Sequence, residues 1–145
     1  MRAVIALIMI LVSGCDNYYG VHRTMNVDVP VLHTCVIQAL KQTEGVTDIK
    51  YSLVANKDEY QRHFYDYKYN NLNTRVSVLV NKKGTSFRHL HARNNRKPPQ
   101  NDIDQIRPQM LEVERRIEIT CKLPGATSNI VENCRGVTCI PLKYK

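Results

Sequence analysis

Tryptophan is absent from this chain of 145 residues, and phenylalanine occurs only twice. Aromatic surface for a core has to come from the eight tyrosines, whose rings bury well but whose hydroxyls need a partner. Catalytic signatures are missing as well. There is no HExxH, no GxSxG nucleophile elbow and no glycine-rich phosphate loop, which removes the mechanisms that depend on them. Glu112 and Glu114 come nearest to an acid and base pair, but the pattern puts them on the solvated, charged face of a helix. Enzymatic activity is therefore not expected. Acidic charge is in deficit, with 13 Asp and Glu against 21 Lys and Arg. No apolar run reaches the roughly 20 residues of a membrane-spanning helix, and internal repeats and low-complexity segments are absent.

The longest apolar run lies near the N-terminus, from Ala3 to Val12, preceded by Arg2 and followed by Ser13-Gly14-Cys15. Its length suits the centre of an export signal, about 7 to 15 residues. The small residues ahead of the cysteine, Val12-Ser13-Gly14-Cys15, resemble the lipobox of bacterial lipoproteins, and the resemblance covers residues 1–17 alone. It implies cleavage before Cys15, diacylglycerol and a fatty acyl group on Cys15 with no other cofactor, and a lipid-anchored domain facing the periplasm. Asp16 and Asn17 resemble the signal that keeps enterobacterial lipoproteins in the inner membrane. The expected organisation is a signal peptide at 1–14, a lipidated cysteine and tether at 15–27, and one domain at 28–145. Without the signal the chain carries about +7, a balance that favours anionic headgroups, acidic polysaccharide or an acidic protein over nucleic acid in that compartment.

Four further cysteines, Cys35, Cys121, Cys134 and Cys139, read as two disulfides in an exported domain, with three connectivities formally open. Only four residues separate Cys134 from Cys139, Gly136 among them, so these two are paired locally and Cys35 is left to Cys121. A four-cysteine metal site would need two short CxxC pairs, which are lacking.

Along the domain, Asp28 as a cap, Pro30 in a first turn and the spacing of Val31, Leu32, Cys35, Val36, Ala39 and Leu40 predict a helix that stops at Gly45. The period then shortens to two. Ile49, Tyr51 and Leu53, then His63, Tyr65, Tyr67 and Tyr69, then Val76, Val78 and Val80, and finally Thr85 to Arg93 define four strands with short links. A second helix follows, with a stripe at Ile103, Ile106, Met110, Val113, Ile117 and Cys121 that Pro108 interrupts, either as a kink or as the true start near Arg107. The remainder is an irregular tail closed by Cys134 and Cys139. The expected fold is α+β, a two-layer sandwich: a helix, a four-stranded antiparallel meander, a helix and a disulfide-closed C-terminal tail.

Three sets of residues could carry function. His89 and His91, two apart on a strand, with His63 nearby, would suit a metal ion or small ligand. Arg88, Arg93, Arg96 and Lys97, with Lys82 and Lys83 on the preceding turn, form a basic cluster at one edge of the sheet that would clamp an acidic partner. The tyrosine stripe suits either a contact surface or the core, and the scarcity of other aromatics favours the core. The expected function is a lipid-anchored, non-enzymatic protein that binds a protein or acidic envelope partner, of the envelope-assembly or immunity and inhibitor type. The alternative is a metal or small-ligand binder using the histidines, and an envelope hydrolase comes third.

Overall fold

The computed structural model describes residues 18–94 and 96–135. Cys15, Asp16, Asn17 and Cys139 lie outside them. The elements run β1 (Tyr18–Val27), α1 (His33–Gln42), β2 (Val46–Lys57), β3 (Tyr60–Tyr69), β4 (Leu72–Asn81), β5 (Gly84–Asn94), α2 (Gln100–Thr120), a 3-10 turn (Ala126–Asn129) and β6 (Val131–Arg135). The strands form one antiparallel sheet in the order β2-β3-β4-β5-β1-β6, with both helices on one face.

The protein is thus α+β, as its periodicity predicts, but the sheet has six strands where four are expected. The supposed tether is β1, which pairs with β5 along its whole length and with β6 from Gly20 to Thr24. Its period of two is present, because Val21, Arg23 and Met25 are buried while His22, Thr24 and Asn26 are more open. The charged Arg23 at the middle of the buried face hides that period. Strand β6 is concealed in the same way, since its inward residue is Glu132 and its apolar residue Val131 points to solvent.

Helix α1 has Leu32, and not Asp28, in its N-terminal cap position. The Thr85 hydroxyl accepts from the Val31 N–H at 2.9 Å and donates to the Val29 carbonyl at 2.8 Å. That clamp ties residues 29–31 to β5 ahead of the helix, which is capped at Leu32. Val36, Ala39 and Leu40 face the core. At the other end Gly45 sits at φ 76°, where a Cβ would come within 2.5 Å of the Tyr69 ring, so the predicted glycine stop is enforced by packing as well as by backbone conformation.

Helix α2 runs unbroken through Pro108 for 21 residues, about 31 Å. The proline side chain is exposed and the helix neither starts nor stops there. Its stripe of Ile103, Ile106, Met110, Val113 and Ile117 is buried as spaced. The first three pack with Val21, while Val113 and Ile117 join α1, Tyr65, Tyr67, Val76, Val78 and Phe87. The Cys35–Cys121 disulfide expected from the sequence links the first turn of α1 to the end of α2, with Cα atoms 5.3 Å apart and a sequence separation of 86. Closing a loop of that size stabilises the fold by roughly 4 to 5 kcal/mol on the chain-entropy account. Cys134 on β6 is also disulfide-bonded, and its expected partner Cys139 falls outside the described residues. Among the described residues no helix is long and apolar enough to cross a membrane.

Candidate binding surface

The space between sheet and α2 holds an ionic network where an apolar layer would be usual. Arg23 Nε donates to Glu114 Oε1 at 2.9 Å and to Oε2 at 3.0 Å, and Arg23 Nη1 donates to the Glu132 carboxylate. Arg107 Nε donates to the same Glu132 at 2.7 Å. On the other side of Glu114, His89 Nδ1 lies 3.2 Å from Oε1, and its Nε2 lies 2.6 Å from the Tyr67 hydroxyl. His89 Nδ1–H donates to the Glu114 carboxylate, and Nε2 shares a hydrogen bond with the Tyr67 hydroxyl. Burial pushes the Tyr67 phenol well above its ordinary pKa, which keeps it a donor. Glu114 is only 3 % exposed, so its expected place on the solvated face is corrected. Arg23 and His89, both reaching down from the sheet, give the carboxylate the partners that make its burial tolerable.

This network accounts for one of the three histidines proposed as metal ligands. His91 is tied elsewhere, its Nδ1–H donating to the Asn73 carbonyl at 2.8 Å. His63 pairs through Nδ1 with the Tyr51 hydroxyl at 3.1 Å and stacks on His33 and Tyr51. Burial first, and the neighbouring His33 second, hold its pKa below the usual imidazole value. The three rings share the helix-facing side but not a site. His63 stands opposite Val78 in a row that continues through Phe87 to Met25, whereas His89 stands two residues along, opposite Val76. Among the described residues no group of three His, Cys, Asp or Glu is placed to hold a metal ion. The tyrosine stripe goes to the core, with Tyr65 and Tyr67 fully covered, while Tyr51 on the edge strand β2 stays 40 % exposed.

Among the described residues no helix lies over the second face of the sheet. Strand alternation sets Lys50, Arg62, Phe64, Asp66, Lys68, Arg75, Ser77, Leu79, Arg88 and Leu90 there, on the opposite side from the tyrosines. Two carboxylates on this face are neutralised by pairs, Lys68 with Asp48 at 2.8 Å and Arg75 with Asp66 at 2.6 Å. The Lys68 ammonium holds the Asp48 carboxyl below its ordinary pKa. The Arg75 guanidinium also lies over the Phe64 ring, 4.6 Å from its centroid. Lys50, Arg62 and Arg88 have no ion-pair partner among the described residues. A depression of about 430 Å³ opens between Lys50, Asp66, Lys68, Arg75 and Leu90. On β1, His22 is kept below the usual imidazole pKa by partial burial and by the charge of Arg88.

The basic cluster expected at one sheet edge is divided by this arrangement. Strand β5 is interior, between β4 and β1. Arg88 lies exposed on the open face, flanked in register by Ser77 and Thr24. Arg93 stands opposite Tyr19 at one end of the strand, and the exposed Arg96 and Lys97 follow it. Lys82 and Lys83 occupy the turn at the other end, about 30 Å away. Lys50 and Arg62 belong to no run of basic residues and so escape a search for charge clusters along the chain. The signal that could have found them was their alternation with the tyrosine stripe, which marks the face that the tyrosines leave to solvent. No known family model matches the chain, and neither does any curated protein or solved structure.

Proposed function

We propose that the chain is a lipid-anchored, periplasm-facing binding protein that recognises an acidic envelope protein across the uncovered face of its sheet, without catalysing a reaction. The observation that carries this reading is the excess of cation on that face: Lys50, Arg62 and Arg88 lack acidic partners among the described residues, and Phe64, Leu79 and Leu90 stand among them. A surface that combines unneutralised cation with apolar side chains suits a partner with acidic and apolar groups at similar spacing. The lipobox at Val12–Cys15 supports the location, and the Cys35–Cys121 bridge suits an oxidising compartment. A non-catalytic role is supported by the fate of the titratable groups. Glu114 and His89 have their polar atoms engaged within the core, away from any substrate.

Capture from detergent-solubilised envelope by the purified mature protein tests the reading. The double variant Arg62→Glu, Arg88→Glu changes exposed residues and should keep the fold while losing the captured partner. Raising the salt should release the partner from the wild type. Retention of the same partner by the charge-reversed protein would remove the open face from the account.

A further inference from the structure

We infer that the depression on the open face between Lys50, Lys68, Arg75 and Leu90 seats one carboxylate side chain of the partner, with an apolar residue near that side chain laid on Leu90. The inference rests on the open-face reading and says where on that face the partner's charge is held.

Register brings the walls of the depression together from four strands. Lys50, Asp66, Arg75 and Leu90 stand opposite one another in a single row from β2 to β5, and strands about 4.8 Å apart make that row roughly 14 Å long. Lys68 and Asn73 form the neighbouring pair on β3 and β4. The space they border, about 430 Å³, lies within the range of small-ligand sites, about 300 to 1,000 Å³.

Charges in this row are unequally matched. Asp66 stands between two cations, yet both of its oxygens go to Arg75, Oδ1 accepting from Nε at 2.6 Å and Oδ2 from Nη2 at 3.0 Å. The same guanidinium lies over the Phe64 ring, so it is held from two sides. Lys50, across the strand from Asp66, is left without an ion pair among the described residues. Asp48 answers Lys68 instead: β2 bulges between Thr47 and Lys50, Asp48 sits there at φ 51°, and its carboxylate meets the Lys68 ammonium at 2.8 Å. Lys50 acts on Asp48 only as a nearby charge, and less than Lys68 does.

Three cations and two carboxylates therefore line the depression and leave one positive charge, at Lys50. A single carboxylate neutralises it, whereas a phosphate dianion would bring negative charge in excess. Leu90, half-buried between Arg75 and His22 in register, offers apolar surface at the other end of the row. An ion pair and an apolar contact held at a fixed spacing select a sequence and not charge alone. Because the long lysine side chain covers part of the row, the acid and the apolar residue would lie two positions apart on an extended segment, about 7 Å.

The probe is the peptide acetyl-leucyl-seryl-glutamate amide, with the glutamine peptide as its uncharged counterpart, each titrated into the isotope-labelled protein in neutral detergent. Saturable amide shifts are expected at residues 50, 66, 75 and 90, with the glutamate peptide bound roughly three- to fivefold more tightly than the glutamine one. Lys50→Met changes an exposed residue and should erase that preference while the glutamine peptide binds as before. Arg88→Glu should keep it, because Arg88 lies three strands from Lys50, beyond a screening length of about 8 to 10 Å. Equal affinity for the two peptides, a preference that survives Lys50→Met, or no saturable shift at these residues up to the solubility limit would overturn the inference. An envelope partner lost by the Arg62→Glu, Arg88→Glu protein but held as tightly by Lys50→Met as by the wild type would overturn the depression alone and leave the open face in place. A partner kept by both variants would remove the two readings together.

Discussion

Taking the carboxylate away from Glu114 would leave the Arg23 guanidinium, 2 % exposed, with part of its charge uncompensated, and would strip His89 Nδ1 of its partner. Breaking a buried ion pair from one side costs about 3 to 5 kcal/mol, so Glu114→Gln should lower the urea midpoint by more than any single apolar truncation on the surface. Arg23→Met combined with Glu114→Gln should cost less than the two changes summed, since each removes the charge that strands the other. His63 gives a pH dependence of definite sign. Its folded pKa lies below the ordinary imidazole value, so the fold prefers the neutral ring. The contribution is fully present above about pH 6.5 and is lost as pH falls from there through the folded value. The groups facing it are Tyr51 and Tyr65 from the sheet and His33 from α1. Melting curves between neutral and mildly acid pH should show a larger loss in the wild type than in His63→Gln, where His22, also held below the usual imidazole value, still contributes.

Elements whose inward residues are apolar were legible from spacing alone. The α2 stripe and the strands β3 and β4 are of this kind, because every second or every third to fourth residue could be read without knowing its partner. Strands β1 and β6 were not, because their inward residues Arg23 and Glu132 make sense only with each other, with Glu114 and with Arg107, at sequence separations of 109, 91 and 25 residues. The same limit displaced the start of α1. Asp28 and Pro30 form a sound local signal, and Thr85, more than fifty residues on, overrides it. Thr85→Val keeps the shape but leaves the Val31 N–H and the Val29 carbonyl without that hydroxyl, at a cost of about 1 to 3 kcal/mol. Hydrogen exchange should then be faster at residues 31–36 than in the wild type, with α2 unaffected. For the candidate surface, Arg88 was legible as a cation in a cluster. Its separation from Arg93, Arg96 and Lys97 was not, since strand order, and not sequence distance, decides which residues share a face.

At the scale of the whole molecule, the proposed binding face and the buried ionic network can be tested apart. Reversal of charge at Arg62 and Arg88, both exposed, should abolish partner capture without lowering the urea midpoint. The placement of β1 has a mechanical consequence too. This strand is enclosed by β5 on one side and β6 on the other, and its first residue is the one nearest Cys15. A pull on the domain away from the bilayer would therefore act along β1, loading the hydrogen bonds of both ladders in parallel and in shear. An N-terminal strand at the sheet edge, pulled crosswise, would unzip one bond at a time. On the lipid-anchor proposal, tension would enter a strand flanked on both sides, and resistance to forced unfolding would be governed by how slowly β1 slides free.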